Sequence, residues 1–271
     1  MSLTVVDGRA RWGDIVPGLG VAALAVAVMT VPPVVAEWTS GGRVSVSGLA
    51  ESVSIGFEQW MLSGTASPGS VLTDATVFWA VFHIAKALLA IALLCALIAV
   101  GRRIWSRAVQ AQGRLARRTW VTVGVLGAWL PVLTLLVAVA NVQGSIAPLS
   151  SVLSFLPIET TPAIEQVRAE LATGAYGSVT TALVEDFRMY HVVLVGLLLV
   201  AITGVLATIV LMVIRRARLP EHHWMLRRVL SSGAVALTLL TAALGLLLLA
   251  NLSTVADTAT ALAGFFNDGG S

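Results

Sequence analysis

VVLVGLLLVAITGVLATIVLMVI, residues 192–214, runs for 23 residues without one charged side chain. A helix needs about 20 apolar residues to cross the hydrocarbon core of a bilayer, and an unpaired backbone group there is costly. The stretch lacks the apolar–polar alternation of an outer-membrane strand, so it reads as a membrane-spanning helix. Four further stretches read the same way: residues 15–35, 77–100, 120–139 and 229–249. The chain is 57% hydrophobic and 11% charged, whereas about a quarter of the residues of a soluble domain are charged. An all-α integral membrane protein with five transmembrane helices follows.

Charge orders the connections between these helices. Residues 101–119 carry Arg102, Arg103, Arg107, Arg114, Arg117 and Arg118 and no acid. Residues 215–228 carry Arg215, Arg216, Arg218, Arg227 and Arg228 against Glu221. The alternate, longer connections are acidic, with Glu37, Glu51, Glu58 and Asp74 in one and Glu159, Glu165, Glu170, Glu185 and Asp186 in the other. By the positive-inside rule the arginine-rich loops are cytoplasmic, with the N-terminus inside and the C-terminus outside. The paired arginines Arg102-Arg103, Arg117-Arg118, Arg215-Arg216 and Arg227-Arg228 are then topology and lipid-headgroup residues. Their place beside the spans also explains the isoelectric point near 9.7 and argues against a nucleic-acid partner.

Arginine outnumbers lysine heavily, and Ala, Val, Leu and Gly are in excess. That bias points to a GC-rich, bacterial genome and so to the bacterial inner membrane. The single cysteine, Cys95, excludes a disulfide framework within the chain. Residues 15–35 have a competing reading as a secretory signal, because Val34-Val35-Ala36 resembles a cleavage site. The length of the apolar stretch favours a retained helix closed by Pro32-Pro33.

The last four spans form two copies of one unit. Gly69-Ser70-Val71, Thr73 and Phe82-His83 recur as Gly177-Ser178-Val179, Thr181 and Tyr190-His191, at a constant offset of 108 residues. Arg117-Arg118 and Ala140-Asn141 recur as Arg227-Arg228 and Ala250-Asn251, at an offset of 110. Both copies enter from the same side, which makes this a tandem, parallel repeat of two helical hairpins. The chain then divides into residues 1–36 (N-terminus and first helix), 37–156 (first repeat with its outside loop) and 157–271 (second repeat, outside helix and C-terminal segment). Residues 145–156 and 254–266 read as matched short helices on the outer surface. Thr161-Pro162 is a helix start, and Ile164, Val167 and Leu171 share one face of an amphipathic helix over residues 162–173.

Few residues in the spans can do chemistry. His83 and His191 occupy equivalent positions after an aromatic residue, either as interfacial side chains or as axial ligands of a b-type haem in a redox anchor. Lys86, the only lysine, lies on the same helical face as His83, about 13 Å into its span. It can snorkel outward toward Glu37 or Asp74, or mark a ligand site or transport path at the repeat interface. Asn141 and Asn251 read first as helix-end caps, with Gln143 and Ser253 extending a polar ring. Glu221-His222-His223 reads as a tight turn. No catalytic set and no metal site is expected. The leading function is a non-enzymatic subunit or scaffold with a membrane or envelope protein partner or a second copy of itself. A small transporter or channel and a haem- or metal-bearing anchor are the alternatives.

Overall fold

The computed structural model describes residues 8–156 and 161–268, with side chains from residue 16 to residue 267. Glu159 and the charged side chains near the N-terminus, Arg9 and Arg11, therefore lie outside the description. Among the described residues every regular element is helical. Ten α-helices occur in the order α1 Gly8–Thr39, α2 Leu49–Ser63, α3 Ser70–Gln110, α4 Arg114–Gly127, α5 Trp129–Ile146, α6 Pro148–Val152, α7 Pro162–Thr173, α8 Ser178–Arg218, α9 Trp224–Ala256 and α10 Thr258–Asp268. Short 3₁₀ turns follow α6 and precede α9.

Five segments are long and apolar enough to cross a membrane: Val16–Thr39, Ser70–Gln110, Arg114–Ile146, Ser178–Arg218 and Glu221–Ala256. These overlap the expected five, but most run well beyond them. At 1.5 Å per residue the 41-residue helices α3 and α8 are about 60 Å long, twice the hydrocarbon thickness. Their ends must project into the headgroup layer or water on both sides. The first helix also continues past Pro32 and Pro33 to Thr39, against the expectation that the prolines close it. Each proline removes one backbone donor, and neighbouring helices allow such helices to persist in membranes; α1 packs along α3.

Pro131 acts as its chemistry requires. The third span breaks at Ala128, between α4 and α5, and the Ala128 N–H bonds the Val125 carbonyl in a tighter turn. The missing proline N–H would have bonded the carbonyl of Gly127, four residues back. At the corresponding place in the fifth span, α9 runs unbroken through Thr241. On either side of the break the third span meets different neighbours: α5 packs against α3 and α8, while α4 packs against α3 and touches α9.

The main core is a cap at one end of the spans. It joins the end of α1, the beginnings of α3 and α8, and helices α2, α6, α7 and α10 through Trp60, Phe57, Phe78, Leu153, Val167 and Leu262. The helix over residues 162–173 appears as α7, with the Thr161 hydroxyl accepting from the Ile164 N–H. Its apolar face, Ala163, Ile164, Val167 and Leu171, is buried in the cap rather than offered to a partner. Arg168 donates to the Phe266 carbonyl from Nε (2.9 Å) and Nη2 (2.6 Å), pinning the last turn of α10 to α7. Gly56 lets α2 ride directly on α3, because a Cβ there would stand 2.6 Å from the Leu72 backbone nitrogen.

Candidate functional site

Below the cap, each hairpin is cross-braced by one histidine and one asparagine. His83 Nδ1 on α3 meets Asn141 Oδ1 on α5 at 2.8 Å, and Asn141 Nδ2 donates to the Val137 carbonyl at 2.7 Å. His191 Nδ1 on α8 meets Asn251 Oδ1 on α9 at 2.7 Å, and Asn251 Nδ2 donates to the Leu247 carbonyl at 2.7 Å. The amide nitrogen must be the donor to a carbonyl, so the amide oxygen is the acceptor and the imidazole N–H sits on Nδ1. In the neutral ring this leaves Nε2 as an acceptor. Both asparagines are buried, so each satisfied amide removes a desolvation penalty of about 1–3 kcal/mol.

This corrects the helix-end reading of the asparagines. Asn141 stands inside α5, which continues to Ile146, and Asn251 stands inside α9, which continues to Ala256. They satisfy carbonyls one turn back, but the partner that fixes them is a histidine on the other helix. Gln143 and Ser253 do not extend a ring. Gln143 is buried and donates to the Tyr190 carbonyl of α8 at 3.2 Å, whereas the Ser253 hydroxyl turns back to the Ala250 carbonyl.

Around the rings the two hairpins diverge. Trp79 packs edge-on to His83 with centroids 4.6 Å apart, and Phe187 does the same to His191 at 4.6 Å. Trp79 Nε1 also donates to Ser151 Oγ at 2.9 Å, and Ser151 Oγ lies 3.2 Å from His83 Nε2. With the tautomer above, a directed chain runs from the Trp79 N–H to the Ser151 hydroxyl, to His83, to Asn141 and to the Val137 carbonyl. In the second hairpin, the positions matching Trp79 and Ser151 by the same offsets are Phe187 and Ala261, which cannot build the outer half of such a chain. Among the described residues His191 Nε2 takes no protein hydrogen bond. His83 also packs directly against Gly144, where a Cβ would stand 2.5 Å from Nε2; Thr254 occupies the matching position.

The two histidines are not brought together as an axial pair. Each is bound within its own hairpin, and no ring contact joins them among the described residues. His83 has both nitrogens engaged by protein groups, so this ring does not fit a haem or metal ligand as it stands. No cluster of three or more His, Cys, Asp or Glu side chains able to hold an ion occurs among the described residues.

Lys86 reaches neither expected carboxylate. Asp74 pairs with Arg43 at 3.1 Å, and Glu37 accepts from the Val46 N–H. The Lys86 ammonium lies over the Phe82 ring, 5.2 Å from its centroid. Phe82 is one turn nearer the cap, so the side chain leans toward the capped end, as snorkelling requires, but its charge rests on an aromatic face.

Sequence reasoning missed the residues that dock one hairpin on the other. Asp186 on α8 accepts from both the N–H and the hydroxyl of Ser150 in the first turn of α6, satisfying a helix N-terminus with a carboxylate. With Gln143 to Tyr190 it makes a two-point polar seam. Asp186 has Phe78 as its counterpart at the 108-residue offset, and that departure was the available signal. At the opposite end, Arg102 and Arg103 lie near the end of α3, Arg117 and Arg118 on α4, Arg215 and Arg216 near the end of α8, and Arg227 and Arg228 in the first turns of α9. Glu221–His223 forms the 3₁₀ turn between the last two spans, in keeping with the turn reading.

No protein-family model, curated protein or solved structure matches the chain.

Proposed function

We propose that the chain is a non-enzymatic, multi-pass subunit or scaffold of a bacterial inner-membrane complex, with the arginine-rich end cytoplasmic and the cap outside. One observation carries this reading: the polar groups within the spans are spent on internal bracing. Both asparagines, His83 and one ring nitrogen of His191 are committed to bonds that hold hairpins together. What remains on the spans is an apolar surface, including Leu199, Val200, Leu206, Leu239 and Leu246, available to lipid or to other helices. The position of Lys86 over Phe82 favours an interfacial role over a transport path.

A tandem parallel repeat is part of the same proposal. It is supported by the equal 41-residue length of α3 and α8, each opened by an extended glycine, Gly69 or Gly177. The breaks after the outgoing helices also agree, at Ala147 (φ −122°, ψ 68°) and Asp257 (φ −134°, ψ 70°). A third support is the common His–Asn brace.

The decisive experiment places a photo-crosslinking residue at Gln166, exposed on α7, and separately at Val200, exposed on α8, in native membranes. A discrete adduct with one membrane or envelope protein, or with a second copy of the chain, is the expected result. Adducts with lipid alone at both positions would overturn the reading. So would a reduced-haem absorption band in the same purified preparation.

A further inference from the structure

The turn between α8 and α9 gathers three arginines and one acid around a shallow, open depression. Arg216 from α8 and Arg227 and Arg228 from α9 line a hollow of about 440 Å³, with Trp224, Ser231 and Glu221 completing its wall. Glu221 is the only acid there, and none of the three arginines forms an ion pair among the described residues. The Ser231 hydroxyl is already used, donating to the Arg227 carbonyl at 3.0 Å, so the guanidinium groups must supply the donors. A guanidinium fork matches the oxygens of a phosphate group. The N-terminal end of α9 favours negative charge at the same place.

The first hairpin provides an internal control. Its corresponding hollow is lined by Ala99, Arg102, Arg103, Ser106, Arg107 and Gln110, all from α3. Arg107 there is stacked on Trp120, with its guanidinium carbon 5.0 Å from the ring centroid. Donors from a single helix line one side of a ligand, whereas Arg216 and the Arg227–Arg228 pair come from two helices. Trp224 is 61% exposed beside them, and an exposed indole next to a span favours the boundary between headgroup and acyl chain.

We propose that the α8–α9 corner is a binding site for the phosphate of an anionic phospholipid headgroup, and that the first hairpin lacks an equivalent site. The source is a lipid rather than free phosphate because the hollow opens beside two membrane spans and carries an exposed indole. Basic pockets between spans bind such headgroups by the same chemistry.

The test uses the full chain, purified in detergent and stripped of lipid, with phosphatidylglycerol, phosphatidylcholine or inorganic phosphate added. Retained lipid is counted by native mass spectrometry. The wild type should keep phosphatidylglycerol in preference to phosphatidylcholine. Arg216→Gln, Arg227→Gln and Arg228→Gln together should lower that retention by about tenfold or more. The charge-matched control Arg102→Gln, Arg103→Gln and Arg118→Gln removes only the diffuse headgroup attraction expected of those arginines and should change retention less than about twofold. The triple Arg→Lys variant at the proposed site keeps the charge and guards against misfolding; it should retain an intermediate amount. Equal losses from the two Gln triples would overturn the site in favour of diffuse attraction. Full retention by the Arg→Lys variant would overturn recognition by guanidinium forks. Displacement of phosphatidylglycerol by millimolar inorganic phosphate would overturn the lipid as source.

Discussion

The capped end and the membrane spans are built from similar residues and packed by different forces. In the cap, Trp60, Phe57, Leu72 and Val167 are sealed from solvent within one continuous cluster. In the spans only 6% to 17% of each most apolar window is buried, and the second cluster consists of Leu198, Ala201, Val205 and Leu244 between α8 and α9. Water drives apolar side chains together in the cap at roughly 25 cal/mol per Å². Lipid offers no such drive, so spans associate through close contact and scarce polar bonds. Two amide–imidazole braces and one seam at Asp186 and Gln143 therefore carry a share of the span architecture that apolar contacts carry in the cap.

The largest test of this contrast is truncation. Trp60→Ala removes a fully buried indole whose N–H donates to the Thr65 carbonyl, and should cost about 3–5 kcal/mol. Leu239→Ala, at a side chain 69% exposed on α9, should cost less than about 1 kcal/mol. Denaturant titration in detergent measures both, and equal costs would erase the distinction. Gly56→Ala should follow at about 1–3 kcal/mol, because the added methyl meets the α3 backbone rather than a movable side chain. Gly204→Ala, where a Cβ meets nothing, is the span counterpart and should be close to neutral by the same titration.

The two hairpins should also separate. His83→Ala leaves Asn141 Oδ1 without a donor and the Ser151 O–H without its acceptor, though Ser151 still accepts from Trp79, and should cost about 1–3 kcal/mol. His191→Ala orphans only Asn251 Oδ1 and should cost less. A double-mutant cycle between each histidine and its asparagine isolates the brace energy, and equal coupling with unequal single costs is the expected pattern.

The smallest effect concerns the exposed rim of the cap. Burial raises the Glu170 pKa, but hydrogen bonds from Gln166 Nε2 and the Gly177 N–H outweigh it and hold the carboxyl below its ordinary value. A depressed folded-state value contributes stability that is fully present above the unfolded-state value. That contribution is lost as pH falls through the folded-state one. Acidification below the usual carboxylate range should lower the melting midpoint slightly, and Glu170→Gln should remove that component. An unchanged acid response in the variant would show that the rim bonds do not contribute.

Much of the architecture was legible without coordinates because a bilayer makes composition decisive. The spans, the arginine-rich loops and the start of α7 at Thr161-Pro162 all follow from local chemistry. Periodicity also picked out His83, His191, Asn141 and Asn251 as residues to compare. It paired them by equivalent position, histidine with histidine and asparagine with asparagine, which says nothing of how they bond. Their real partners lie across each hairpin, 58 and 60 residues apart, and only the packing of α3 on α5 and of α8 on α9 decides that. Gly144, Ser151 and Trp79 were invisible for a related reason: a glycine against a ring, or a hydroxyl 68 residues from its partner, has meaning only once the helices have met.

The sequence by itself determined five apolar helices, their alternating charge and two matched sets of polar residues, because each depends on transfer energies and spacing along one chain. Tertiary structure alone decided that the apolar face of α7 is consumed in a cap, that each histidine bonds the asparagine of its own hairpin, and that arginines of α8 and α9 converge on one hollow. Those outcomes depend on which surfaces exclude water together, and no local spacing encodes that.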